Sequence, residues 1–229
     1  MTLSVPFVGR KNQSVQLRRL YGQRRHVLIV GPAGVGKTTL IGELRGTLPF
    51  LVCARSDTLG SICGNLETAL NAPAPHLPLV HRKNRLLEML AERGPTVVFD
   101  GVGWVTPKVS SFFEHVMEFA PVWICARSEL APDIGHFWPL LARFERVELP
   151  PFHLSESRAL LAVVVESGRI PASAMGFAPR LHQLAGGLPR LLRELLEQLA
   201  AGHYDLSHRA GLRLLELDCR IKVLPPLVA

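Results

Sequence analysis

Short, almost wholly apolar runs alternate along the first two thirds of the chain with longer stretches whose apolar residues recur every three or four positions. The runs at 26–30 (HVLIV), 50–54 (FLVCA), 96–99 (TVVF) and 122–126 (VWICA), with a shorter one at 146–149, have the length of strands buried on both faces. Between them, helical spacing predicts a helix opening at Lys37 and others over about 59–71, 81–93, 107–119 and 134–144. A further helix carrying Arg18 and Arg19 precedes the first run. Strands alternating with helices of this length specify an α/β fold, here a parallel five-stranded sheet covered by helices. After Pro150 and Pro151 the strand pattern stops. Four helices follow at 154–168, 173–184, 188–201 and 206–218, with Ser155, Glu156 and Asp205 as start signals. The organisation read from this change is an α/β core over 1–151 and a small all-helical lid over 152–229.

Composition narrows the class. Hydrophobic residues make up 48% and charged residues 20% of the 229 positions, which is a globular balance and excludes disorder. The apolar runs fall far short of the roughly 18–20 residues a membrane span needs, and the N-terminus lacks the apolar segment of a secretion signal. The expectation is a cytoplasmic protein without a membrane partner. Four cysteines without a CxxC spacing, and histidines without ligand spacing, indicate neither a zinc site nor a disulfide framework; the cysteines read as reduced and buried. The formal charge of +7 is uneven, because residues 1–50 hold eight Lys or Arg against one acid. Arginine greatly outnumbers lysine, and its planar fork suits phosphate, so a polyanionic partner is expected. A second basic cluster, Arg82, Lys83 and Arg85, follows a proline-rich loop at 71–78. With only 7% aromatic residues, phosphate contacts to a duplex fit better than stacking on exposed bases.

The strongest chemical signal is Gly31, Pro32, Ala33, Gly34, Val35, Gly36, Lys37 and Thr38, which matches G-x-x-x-x-G-K-[ST] between an expected strand and an expected helix. Glycines let backbone N–H groups wrap a phosphate without a Cβ in the way, and the helix N-terminus adds its dipole. Lys37 would neutralise the β- and γ-phosphate oxygens of ATP, Thr38 would ligate Mg²⁺, and Thr39 continues the binding segment. A second carboxylate for the Mg²⁺ side is needed at the end of a neighbouring strand. Asp100, directly after TVVF, supplies it. The next residue is Gly101, so the carboxylate that commonly follows and orients the attacking water is missing.

These motifs together resemble those of the AAA+ ATPases and the related STAND signalling NTPases, over nearly all of the chain. Residues 7–10 (FVGR) look like the family's lead-in segment, which implies that Phe7 and Val8 pack near the adenine. Residues 122–128 (VWICARS) resemble the sensor 1 strand, with Arg127 at its end. The stretch 137–149 is similar to the family's helix that ends in an arginine before the last core strand; the resemblance implies that Arg143, or secondarily Arg146, reaches the ATP site of a neighbouring subunit. Residues 186–192 (GGLPRLL) resemble the lid motif written G-x-P in STAND and archaeal-type ATPases and G-N-P-R-L-L in transposon-encoded AAA+ regulators, which implies a sensor 2 role for Arg190. That match, and a chain that stops at Ala229, favour the transposition and secretion-type branch over the multi-domain STAND branch.

The resemblance implies a molecular switch that binds ATP and Mg²⁺, forms a homo-oligomeric ring or filament in the ATP state and hydrolyses slowly. Duplex DNA, and a separate effector, recombinase or adaptor protein, are the expected partners. Two alternatives stay open: a STAND-like signalling or defence NTPase that recruits an effector without nucleic acid, and a nucleotide-binding scaffold that does not turn over.

Overall fold

The computed structural model describes residues 7–204 together with 211, 213–215, 217 and 218. Five strands, β1 (Val27–Val30), β2 (Phe50–Cys53), β3 (Thr96–Val102), β4 (Val122–Ala126) and β5 (Glu145–Glu148), form one sheet in the order β2-β3-β4-β1-β5. Every pairing is parallel. Position in the sheet follows composition: β1 (VLIV) and β4 (VWICA) are buried throughout, whereas edge strand β5 (ERVE) buries only Val147. The α/β reading and its five strands are met.

Helices α1 (Lys11–Gly22), α2 (Lys37–Arg45), α3 (Leu59–Ala69), α4 (Leu79–Arg93) and α5 (Pro107–Phe119) belong to this core unit. Local sequence sets their ends. Thr58 Oγ1 accepts from the Ser61 N–H at 3.1 Å to start α3, Thr106 with Pro107 starts α5, and α4 stops at Gly94 in a left-handed conformation. Phe99, Phe113 and Phe137 run as an aromatic chain on one face of the sheet, with ring centroids 4.5 and 5.4 Å apart. Trp123 packs on Phe50 at 5.0 Å and against Tyr21.

The helix expected over 134–144 is absent as such. A four-residue helix, α6 (Ala131–Ile134), ends at Gly135 with φ 59°, and a 3-10 turn spans Trp138–Arg143. Gly135 makes an isolated parallel bridge with Val105, and a Cβ there would lie 2.7 Å from the Val105 carbonyl oxygen. That close approach, with Pro139 removing a donor, prevents a continuous helix. Strand β3 also runs past its apolar run to Val102, with an irregularity between Phe99 and Val102 that contains Asp100 and Gly101.

A second compact unit begins at Pro151 and contains α7 (Leu154–Glu166), α8 (Ala178–Leu184) and α9 (Pro189–Ala200). The segment ending at Gly9 and the three residues Gly34–Gly36 cluster with it. Leucines 192, 195, 196 and 199 on one face of α9 close its apolar core with Leu160, Leu161, Val164 and Leu181. The helix expected over 173–184 opens as a 3-10 turn, Ala172–Phe177, and becomes α-helical where Pro179 occupies the first turn of α8. The helix expected over 206–218, with its start signal Asp205, lies largely outside the described residues, as does Cys219.

Candidate nucleotide site

The phosphate-loop motif follows β1, the strand where the sheet order reverses direction, which is where parallel sheets place ligands. The buried Gly31 anchors the start of the loop, its N–H donating to the Ala126 carbonyl at 3.3 Å. Pro32 and Ala33 are exposed, and Val35 is fully buried. Gly34 and Gly36 adopt φ of 79° and 97°, conformations that favour glycine and that the motif supplies. Lys37 opens α2, and its Nζ donates to the carbonyls of Gly31 at 2.6 Å and Pro32 at 3.1 Å, folding the side chain back over its own loop. Thr38 and Thr39 stand exposed on the first turn of α2.

Three further residues surround Lys37 electrostatically. Burial lowers the Lys37 pKa first of all, and the Arg127 charge adds to this, while the Asp100 carboxylate opposes it. Asp100 lies half-buried on β3, and Arg127 is exposed directly after β4. Cys125 is the third residue: burial pushes its thiol well above the ordinary range, and Asp100's charge adds to this. Thr38 and Asp100 offer hard oxygen donors of the kind Mg²⁺ prefers, and the left-handed glycines leave the loop free of side chains at two positions, so the residues fit ATP with Mg²⁺.

The remaining sites divide by what they touch. Phe7 and Val8 are half-buried, with Val8 packed against the apolar core of the helical unit. Arg190 follows Pro189 in the first turn of α9; its side chain pairs with Glu194 at 3.0 Å and its N–H donates to the Gly34 carbonyl at 3.1 Å. Arg143 ends the 3-10 turn before β5, exposed and without an ion pair among the described residues. Arg146 is held by Glu129 at 2.9 Å and Glu148 at 3.0 Å. Arg82 sends two guanidinium nitrogens to Glu67 of α3, at 2.8 and 2.7 Å, with side-chain exposures of 16% and 5%. Such a pair is a structural clamp between α3 and α4. Lys83 is half-buried, and Arg85 is exposed beside the Ala72 carbonyl.

Sequence reasoning did not single out Cys125, Asp57 or Trp104. Cys125 could have been found, since it is the residue of the sensor-like strand that neighbours Asp100. Asp57 and Trp104 line, with Arg55, Asp100 and Gly101, a cleft of about 480 Å³ at the ends of β2 and β3. Nothing in the linear sequence brings 57 next to 100; the strand order does.

The five-stranded parallel sheet with a glycine-lysine loop after its first strand defines a P-loop nucleotide-binding protein. Residues 6–120 match the family model of the AAA ATPase domain, and the chain belongs to that family. Among solved structures it is similar to Cdc6p from Pyrobaculum aerophilum, with a TM-score of 0.66, 16% identity, and coverage of 86% of this chain and 63% of that one. The Aeropyrum pernix Orc1 protein, solved in complex with DNA, has the same TM-score of 0.66 and 16% identity, covering 95% of this chain and 66% of that one. A STAND protein with a tetratricopeptide repeat sensor from Pyrococcus horikoshii gives 0.57 at 15% identity, over 94% of this chain and 33% of that one. These likenesses establish the fold. The chain spans a little under two thirds of the first two proteins and a third of the last. The family match is to an ATPase domain, and residues 6–120 contain both the phosphate loop and Asp100. No helix among the described residues is long and apolar enough to cross a membrane.

Proposed function

We propose that the chain is a slow ATPase that assembles with ATP into a ring or filament on duplex DNA and there engages a separate effector, recombinase or adaptor protein, in the manner of a transposition regulator of the cytoplasm. One observation carries the nucleotide part: Asp100 of β3 and Arg127 after β4 both act electrostatically on Lys37 at the start of α2, so three separate segments meet at the phosphate loop. In this reading the backbone of the loop and Lys37 bind the β- and γ-phosphates, Thr38 and Asp100 hold Mg²⁺, and Arg127 stands by the γ-phosphate. Bound Mg²⁺ supplies charge neutralisation at the phosphate oxygens. Within the helical unit, Arg190 is assigned the sensor 2 role and Phe7 and Val8 the role of base-binding residues. Gly101 leaves no carboxylate beside Asp100 to orient water, which supports turnover well under the typical 10 s⁻¹ or so of enzymes.

Assembly rests on Arg143, an exposed guanidinium with no ion pair among the described residues. Supplied from outside, such a group stabilises charge on the γ-phosphoryl oxygens and completes the site only between subunits. The DNA part rests on the basic excess before residue 50 and on Lys83 and Arg85. Engagement of Arg82 by Glu67 weakens the second cluster and supports the other reading, a STAND-like switch that recruits its effector without nucleic acid. Size measurement with and without ATP, and with and without a long duplex at low salt, tests the whole. ATP-dependent growth on DNA is the expected result; ATP-dependent growth indifferent to DNA selects the effector-recruiting switch, and no response to ATP with nucleotide bound selects the scaffold.

A further inference from the structure

We infer that Asp57, in the loop after β2, is the catalytic base that replaces the carboxylate missing at Gly101. The inference rests on the ATP-site reading above and adds to it the residue that activates water. Hydrolysis requires the water to approach the γ-phosphorus from the side opposite the departing ADP. The phosphate loop follows β1, and β4 and then β3 and β2 lie to one side of it. With Asp100 of β3 assigned to the Mg²⁺ side, the γ-phosphate would point from β1 toward β3, and the attacking water would lie beyond it, toward β2. A cleft of about 480 Å³ lies there, lined by Asp100 and Gly101 from β3 and by Arg55, Ser56 and Asp57 from the loop after β2, with Trp104 as an indole wall.

Two features turn this cleft into a reaction space. Gly101 has φ 70° and no neighbour within 4 Å of a Cβ built on it, so its position adds no side chain to the volume. Register places Cys53 of β2 opposite Phe99 of β3, so the chain leaves β2 level with Asp100 and turns with Asp57 into the same cleft. Asp100 is assigned to Mg²⁺, and Asp57, exposed on its loop, is the carboxylate left to accept a proton. In the step, the water oxygen bonds to the γ-phosphorus while the bond from that phosphorus to the β,γ-bridging oxygen breaks. The bond's electron pair leaves with ADP, and one water proton passes to the Asp57 carboxylate and then to solvent. A base carried by a loop of a neighbouring strand is held less firmly than one on β3, and turnover slower than with an acid at position 101 is the expected consequence.

The test compares Asp57→Asn and Asp57→Glu with the wild-type chain, measuring ATP affinity by calorimetry and phosphate release separately. Asp57→Asn is expected to keep ATP affinity within about twofold and lose about 100-fold or more in turnover, the range a general base contributes, while Asp57→Glu keeps a tenth or more. Hydrolysis by Asp57→Asn within about threefold of wild type overturns the inference and leaves the ATP site standing. Loss of ATP binding in that variant also overturns it, by making Asp57 a binding residue. A wild-type chain that binds ATP without any hydrolysis overturns it too. Failure of the wild-type chain to bind ATP removes the reading underneath.

Discussion

The Asp100 charge on β3 raises the pKa of the buried Cys125 thiol on the neighbouring strand β4, adding to the larger effect of burial, at the end of the sheet where the phosphate loop begins. Strand pairing brings the two residues near one another, since Ile124 pairs with Phe99, the residue before each, and the register shifts just beyond that pair. The thiol is therefore held in its neutral form beside Asp100.

Reactivity follows from the same burial. Thiolates, not thiols, are the nucleophiles. Burial raises Cys125 well above the ordinary range, takes Cys53 to about 12 and lifts Cys63 as well. At pH 8 all three stay protonated, so brief alkylation of the native chain followed by peptide mass mapping should leave them unmodified, and denaturant should expose them. Rapid native labelling of Cys125 would contradict its full burial.

Nucleotide binding should depend on Lys37. The ammonium that now bridges the Gly31 and Pro32 carbonyls is the group available to turn onto phosphate. Lys37→Ala should abolish ATP binding in calorimetry with the thermal unfolding of the free protein little changed. Thr38→Ala should retain nucleotide but lose the dependence of its affinity on Mg²⁺. Wild-type affinity in Lys37→Ala would remove the assignment.

The clamp between Arg82 and Glu67 should matter to folding. Breaking one side of a largely buried pair costs about 3 kcal/mol, so Arg82→Ala should shift the urea midpoint down strongly. The Arg82 hydrogen bonds hold the Glu67 carboxyl below its ordinary value, ahead of the opposing effect of burial. A carboxylate with a lowered folded-state pKa contributes stability above the unfolded pKa, near 4.3, and loses it as pH falls through the lower folded value. Urea titrations at pH 7 and pH 3 should show the wild type losing this increment in acid, and Glu67→Gln showing a smaller pH dependence.

Duplex binding, where it occurs, should be read from residues that do not hold the fold. Lys83→Ala with Arg85→Ala should reduce the log–log salt slope by up to about 1.8, at roughly 0.9 per phosphate lost, and leave ATP affinity unchanged. An unchanged slope would take these two residues out of any DNA surface.

Arg143→Ala should preserve ATP binding by the single chain and lose ATP-dependent assembly or stimulated hydrolysis in sizing and phosphate-release measurements. Normal assembly would return Arg143 to the ordinary surface. Arg146 is a poorer substitute, because two carboxylates already hold its guanidinium.

Local pattern announced the parts of the fold that local physics controls. The runs HVLIV and VWICA are apolar at every level of the sheet because β1 and β4 have neighbours on both sides, and the glycine-lysine loop sits where a strand must turn into a helix. Tertiary contacts decided the rest. Gly135 breaks an otherwise helical stretch because Val105 needs its backbone close by, which no periodicity reports. Arg82 reads as a free cation until α3 brings Glu67 beside it, fifteen positions earlier in the chain. Asp57 and Asp100 share a cleft solely because β2 and β3 are adjacent.

The left-handed backbone at Gly101 also bears on which residues the position accepts. An ordinary residue placed there would carry about 1–3 kcal/mol of strain before contributing anything, as most such residues do outside glycine. Space is not the obstacle, since no atom lies within 4 Å of a Cβ built there. An engineered Gly101→Glu would therefore enter open volume on a backbone that disfavours it, and changes in the loop after β2 are the less strained way to add or move a carboxylate in this cleft.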